Sequence, residues 1–141
     1  MRLKAIIKSV SQGAQGLLIQ FMGAIFTAGA QYTSQVTLTF GASIPVDLSL
    51  GNAFVVTDTS NAAHALANPT NGTIPTGGSQ IFCVTERNTS GGAAATMTFG
   101  TAYKLGAAWT APADTKSRTI WFRWDGTNAI EIGRTAADVA N

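Results

Sequence analysis

Thr119 to Arg134, TIWFRWDGTNAIEIGR, constrains the fold of this chain more than any other stretch. Ile120, Phe122 and Trp124 alternate with Trp121, Arg123 and Asp125, and alternate residues of an extended chain project from opposite faces of a sheet. Asp125-Gly126 follows, a tight-turn signal because glycine accepts positive φ with no Cβ to clash. The chain then returns through Ala129 to Gly133, with Ile130 and Ile132 on one face. Two of the three tryptophans lie in the first arm. The stretch reads as a central hairpin of an antiparallel β domain.

Composition agrees with an all-β chain. Threonine and glycine are abundant, the first suited to pleated strands and the second to turns. At 141 residues the chain is long enough for one domain with its own core. Only 11% of residues are charged, against about 25% in an average soluble domain. Such a chain either covers itself with Thr, Ser and Asn as a neutral monomer or buries part of its surface against other chains, and the second is the expectation. A net charge of +2 gives no broad basic stripe for phosphates, so no nucleic-acid partner is expected. Arg2, Lys4 and Lys8 form the one local bias and read as a solvated basic tip.

Along the chain, residues 1–30 read as an N-terminal arm with one or two strands. The order basic, apolar, small-x-small imitates a secretory leader, but Gln12, Gln15 and Gln20 break it, and the expectation is a retained arm. Its apolar run from Gly16 to Phe26 is short of the ~20 residues that span a bilayer, so no membrane partner is expected. Leu17, Ile19 and Phe21 alternate as a strand would, whereas Leu17, Leu18, Phe21 and Ile25 also fit a helical stripe. Gly13, Gly16, Gly23 and Gly29 disfavour the helix. Residues 31–135 then read as an antiparallel β-sandwich, jelly-roll-like, of about eight strands. Strands are expected at 36–40, 44–50 (an edge, because of Pro45), 53–58, 80–86 (central, apolar on both faces), 95–99 and 103–105, followed by the hairpin. Residues 59–79 read as a long polar connection with a short element at 64–68. Residues 109–112 read as a loop anchored by Trp109, and 136–141 as an irregular tail.

No catalytic, cofactor-binding or metal-binding set emerges. Cys83, the single cysteine, sits among Ile81, Phe82 and Val84 and reads as a buried thiol acting as a small hydrophobe. One histidine, His64, and one cysteine nineteen positions apart make no metal site. Asp125 and Glu131 are better explained by the turn and by a solvated strand face than as a glycosidase pair. Asn88-Thr89-Ser90 matches a glycosylation acceptor, relevant only in a secretory context. Tyr103, Trp109 and Trp121 are amphipathic aromatics that stack on sugars or on a protein partner when exposed; filling the core or a subunit interface is the expected role.

Taken in order, several phrases carry a resemblance. Val36-Thr-Leu-Thr-Phe, Ile44-Pro-Val-Asp and Gly51-Asn-Ala-Phe-Val-Val-Thr open it. Leu66-Ala-Asn-Pro-Thr-Asn, Gly78-Ser-Gln-Ile-Phe and Met97-Thr-Phe-Gly-Thr-Ala-Tyr-Lys follow, then Phe122-Arg-Trp-Asp-Gly-Thr-Asn and Glu131-Ile-Gly-Arg. Over about residues 36–134 the succession resembles a β-sandwich module of tailed-bacteriophage virion proteins, found in tail fibres, spikes and small capsid-associated proteins. It departs from the pattern at Ala129, where that family usually places a second aromatic. The resemblance implies a non-enzymatic structural protein of the virion, assembled in the host cytoplasm as a homo-oligomer, a homotrimer being the expectation. One module plus a short arm suits a capsid decoration or cement protein that contacts the major capsid protein. The alternative is a short tail-fibre or head-fibre subunit binding a host glycan. Phe21, Tyr103, Trp109, Trp121 and Arg123 are the candidate interface or glycan contacts.

Overall fold

The alternating patterns form strands, and the hairpin forms as read. In a computed structural model, which describes residues 35–72, 74 and 78–141, β7 (Lys116–Trp124) and β8 (Ala129–Arg134) pair antiparallel. Asp125 Oδ1 accepts hydrogen bonds from the Thr127 and Asn128 amides (2.9 and 2.7 Å), and Gly126 takes φ 99°. Ile120, Phe122 and Trp124 are buried, while Trp121 and Arg123 face outward. A register shift between Trp121 and Phe122 leaves Ile132 as an extra residue on β8, where it is exposed.

The other strands are β1 (Val36–Leu38), β2 (Ala53–Asp58), β3 (Ala65–Leu66), β4 (Gln80–Asn88), β5 (Thr98–Phe99), β6 (Tyr103–Lys104) and β9 (Val139–Ala140). No helix occurs among the described residues, which lie in a compact unit spanning Thr33–Asn141. Seven strands form one mixed sheet in the order β1-β2-β4-β7-β8-β6, with β9 on β7; β3 and β5 form a second, small sheet.

The expected all-β class therefore holds, but antiparallel pairing does not hold throughout. It is confined to β4–β7, β7–β8 and β7–β9, whereas β1–β2, β2–β4, β3–β5 and β6–β8 are parallel. The reason lies in the connections. Residues 39–52 and 59–79 separate strands that become neighbours, and parallel neighbours need crossovers of about a dozen residues or more. Residues 59–79 contribute β3 to the small sheet, and residues 39–52 bridge to that region. Ile44 and Asp47 bridge in parallel to Leu66 and Thr70, and β3 pairs in parallel with β5. The chain thus passes from the large sheet to the small one and back, each pass laid parallel to the last.

Two smaller expectations change as well. Residues 44–50 contribute isolated bridges rather than a strand, with Ile44, Val46 and Leu48 buried but Leu50 64% exposed. The tail is not irregular, since β9 pairs with Lys116 and Ser117. The central place of residues 80–86 holds, for β4 lies between β2 and β7.

Inward residues of both sheets share one core, with Phe54, Phe82, Phe122 and Leu66 at or near zero exposure. Phe82 lies 5.3 Å from Phe122 and Tyr103 5.0 Å from Phe122, ring centre to ring centre, and such pairs add about 0.5–1.5 kcal/mol each beyond burial. Gly72 lets the backbone pass against Trp124, where a Cβ would lie 2.3 Å from the indole Nε1.

Candidate functional site

Two regions carry chemistry beyond packing, one on each face of the large sheet. The first begins where the inward positions of β2 and β4 change character. Along β2 they run Phe54, Val56, Asp58, and along β4 Phe82, Val84, Glu86, Asn88, all buried. The parallel register sets Val56 beside Glu86 and Asp58 beside Asn88, which brings the two acids onto one end of the core. The crossover after β2 returns His64 to the same place, where it is 3% exposed and packs 5.0 Å from the Phe40 ring. The backbone carbonyl of His64 accepts from the Thr98 amide at 3.0 Å, tying this point to the start of β5.

Each of these side chains is held from behind. Asp58 Oδ1 accepts from the amides of Ser60 and Asn61 (3.0 and 3.1 Å), the latter residue in left-handed backbone that asparagine tolerates. His64 Nδ1 lies 2.9 Å from the Ala62 carbonyl, which can only accept, so Nδ1 carries a proton. Glu86 Oε2 accepts from Trp109 Nε1 at 2.5 Å, and its Oε1 lies 3.2 Å from His64 Nε2. Burial is the largest influence on Glu86 and pushes its carboxyl up; the Trp109 and His64 contacts pull it back, and Asp58 adds to the rise. Asp58 Oδ2 is buried with no hydrogen-bond partner. One donor atom from each of Asp58, His64 and Glu86 lies within 4.8 Å of the other two. These residue types bind divalent metals, so they are the ones able to hold an ion among the described residues.

The second region is the outer face of the same sheet. Ile81 pairs with Arg123 and Cys83 with Trp121 across β4 and β7. Ile81 is 53% exposed, Trp121 37% and Ile132 52%, with Arg123 exposed among them. Cys83 is half-buried and burial pushes its thiol up, away from the thiolate a nucleophile needs.

The candidate contacts therefore separate. Trp121 and Arg123 lie on the outer face. Tyr103 and Trp109 are buried, so neither presents a ring to solvent for stacking on a sugar. Trp109 anchors its loop as expected, with Arg134 5.8 Å over its ring. Phe21 lies outside the described residues. Asn88 is fully buried and donates from Nδ2 to the Gly92 and Pro112 carbonyls (2.8 and 3.1 Å), which removes it as a glycosylation acceptor in the folded chain. The sequence sets His64 against Cys83, the only cysteine, whereas the fold puts Cys83 on the opposite face and brings His64 to Asp58 and Glu86. The readable signal was the change from apolar to acidic at the end of two alternating strands.

Comparison with protein-family models, with curated proteins and with solved structures finds no match for this chain.

Proposed function

We propose that this chain is a non-enzymatic structural protein of a bacteriophage virion, a two-layer, sandwich-like module that self-associates and decorates the capsid. The observation that carries the self-association is the outer face of the seven-stranded sheet. It carries Ile81, Trp121 and Ile132, all exposed, with Arg123 cross-strand from Ile81, in a chain with only 11% charged residues. Exposed apolar and aromatic side chains beside an arginine are the composition of an interface core. The virion setting rests on the order of sequence phrases. A decoration protein acts in many copies, so each contact need be only modest. The fibre reading draws less support, because the burial of Trp109 and Tyr103 leaves Trp121 alone as a stacking platform among the candidate aromatics described.

The test is the native mass of the full chain across micromolar concentrations, with Trp121→Asp beside it. The expected result is an oligomer, a trimer on this reading, that Trp121→Asp converts to folded monomer. A wild-type monomer throughout would remove the self-association. Particles that lack the protein should burst at lower temperature; equal particle stability with failed host adsorption would favour the fibre.

A further inference from the structure

We propose that Asp58, His64 and Glu86 form a buried site for one divalent transition-metal ion of the zinc class, which clamps the crossover 59–64 to the large sheet. The argument is independent of any virion role.

Each of the three residues has two polar atoms, and each commits one of them away from the cluster. Asp58 Oδ1 is taken by two backbone amides, His64 Nδ1 by the Ala62 carbonyl and Glu86 Oε2 by Trp109 Nε1. This is the outer arrangement by which metal ligands are oriented, including the histidine tautomer that leaves Nε2 as a lone pair. The remaining atoms, Asp58 Oδ2, His64 Nε2 and Glu86 Oε1, are all acceptors in that state, and one ligand atom from each residue lies within 4.8 Å of those of the other two. Hydrogen bonding leaves the set incomplete. A proton between His64 Nε2 and Glu86 Oε1 satisfies those two, yet Asp58 Oδ2 still has no partner in a fully buried residue, where an unmet carboxylate oxygen is costly. Among the described residues no lysine or arginine is paired with either acid. A divalent cation supplies the missing partner and balances two carboxylates at once.

The distances suit that ion. Ligands about 2.0–2.2 Å from a tetrahedral zinc sit roughly 3.4 Å apart. His64 Nε2 and Glu86 Oε1 are 3.2 Å apart, and one ligand atom from each of the three residues lies within 4.8 Å of the others, close to that spacing. One nitrogen and two oxygens, with water completing the fourth position, is a donor set that zinc and cobalt(II) both accept. The ion joins the end of β2, the residue before β3 and the C-terminal part of β4, points separated in sequence.

Full-length protein stripped with chelator is titrated with cobalt(II) alone, and separately melted with and without zinc. The expected result is one ion per chain, visible absorbance without a thiolate-to-cobalt band, and a Tm raised by roughly 10 °C or more at a hundredfold excess of zinc over Kd. Asp58→Asn is the discriminating variant. It keeps the Oδ1 acceptor and replaces only the unpartnered oxygen, so the fold is retained while affinity falls by at least about tenfold, the lower bound for loss of even an outer partner. Glu86→Gln is the second variant and loses affinity likewise. Absence of saturable binding at one ion per chain, or equal cobalt binding by wild type and Asp58→Asn, overturns the proposal.

Discussion

The two ends of the core are built from the same strands and obey different rules. At the hairpin end the inward residues are Phe82, Ile120, Phe122 and Trp124, which pack chiefly against other apolar groups and rings. At the other end β2 and β4 turn inward Asp58, Glu86 and Asn88, where partners must be supplied one atom at a time. Dispersion and water exclusion hold the first end, and shape decides its strength. Directional bonds hold the second, so chemistry decides there, and a missing partner costs more than a missing contact. One sheet thus combines a packed half that fixes the fold with a polar half whose arrangement has capacity for a ligand.

Truncation separates the two most sharply at Phe122. Its ring meets Phe82, Phe99 and Tyr103, and it is fully buried. Phe122→Ala should destabilise by about 3–5 kcal/mol, read as a lower midpoint in urea denaturation with little change in slope. A loss under ~1 kcal/mol would mean the hairpin end is not the packed half. Asn88→Ala tests the polar end by a different mechanism. It leaves the Gly92 and Pro112 carbonyls and the Ser90 amide short of a partner, with little volume removed. The expected cost is about 1–3 kcal/mol. Asn88→Asp should be no better, since a carboxylate cannot donate to those two carbonyls. Equal stability of Asn88→Asp and wild type would show that the donor bonds do not carry the effect.

The same contrast explains what could be read in the sequence. The hairpin was legible to its turn, because its pairing is local: Ile120, Phe122 and Trp124 announce a face, and Asp125-Gly126 announces where it folds back. The buried role of Trp109 as a loop anchor was legible from its size. The parallel pairs were not, because nothing local to Val36, Phe54 or Val84 names its partner across 39–52 or 59–79. Alternating strands predict faces, while register between distant strands is settled by the core they jointly enclose. The polar cluster was hidden for the same reason. Asp58, His64 and Glu86 belong together only once β2 lies beside β4 and the crossover returns to them. The bulge that frees Ile132 also has no local signal in the sequence.

The smallest expected effect lies in a link between the two ends. From β8, Arg134 donates to the Ala107 and Ala108 carbonyls (2.9 and 2.8 Å) and lies over the Trp109 ring, whose N–H reaches Glu86. Glu131 holds that guanidinium at 2.5 Å and also accepts from the Gly106 amide at 2.7 Å. The Arg134 hydrogen bond, the largest influence, keeps the Glu131 carboxyl below its ordinary range. A carboxylate lowered on folding contributes stability that is complete above its unfolded value, near 4.3, and is lost as pH falls through the lower folded value. The pair is partly solvated, so its worth is under about 1 kcal/mol. Glu131→Gln should therefore match wild type in Tm at pH 3 and fall below it by a few degrees at pH 7. Because the loop that carries Trp109 is what the pair holds, the tryptophan fluorescence of the native state should shift with the same pH dependence. A constant gap in Tm between the variant and wild type from pH 3 to 7 would assign Glu131 a packing role instead.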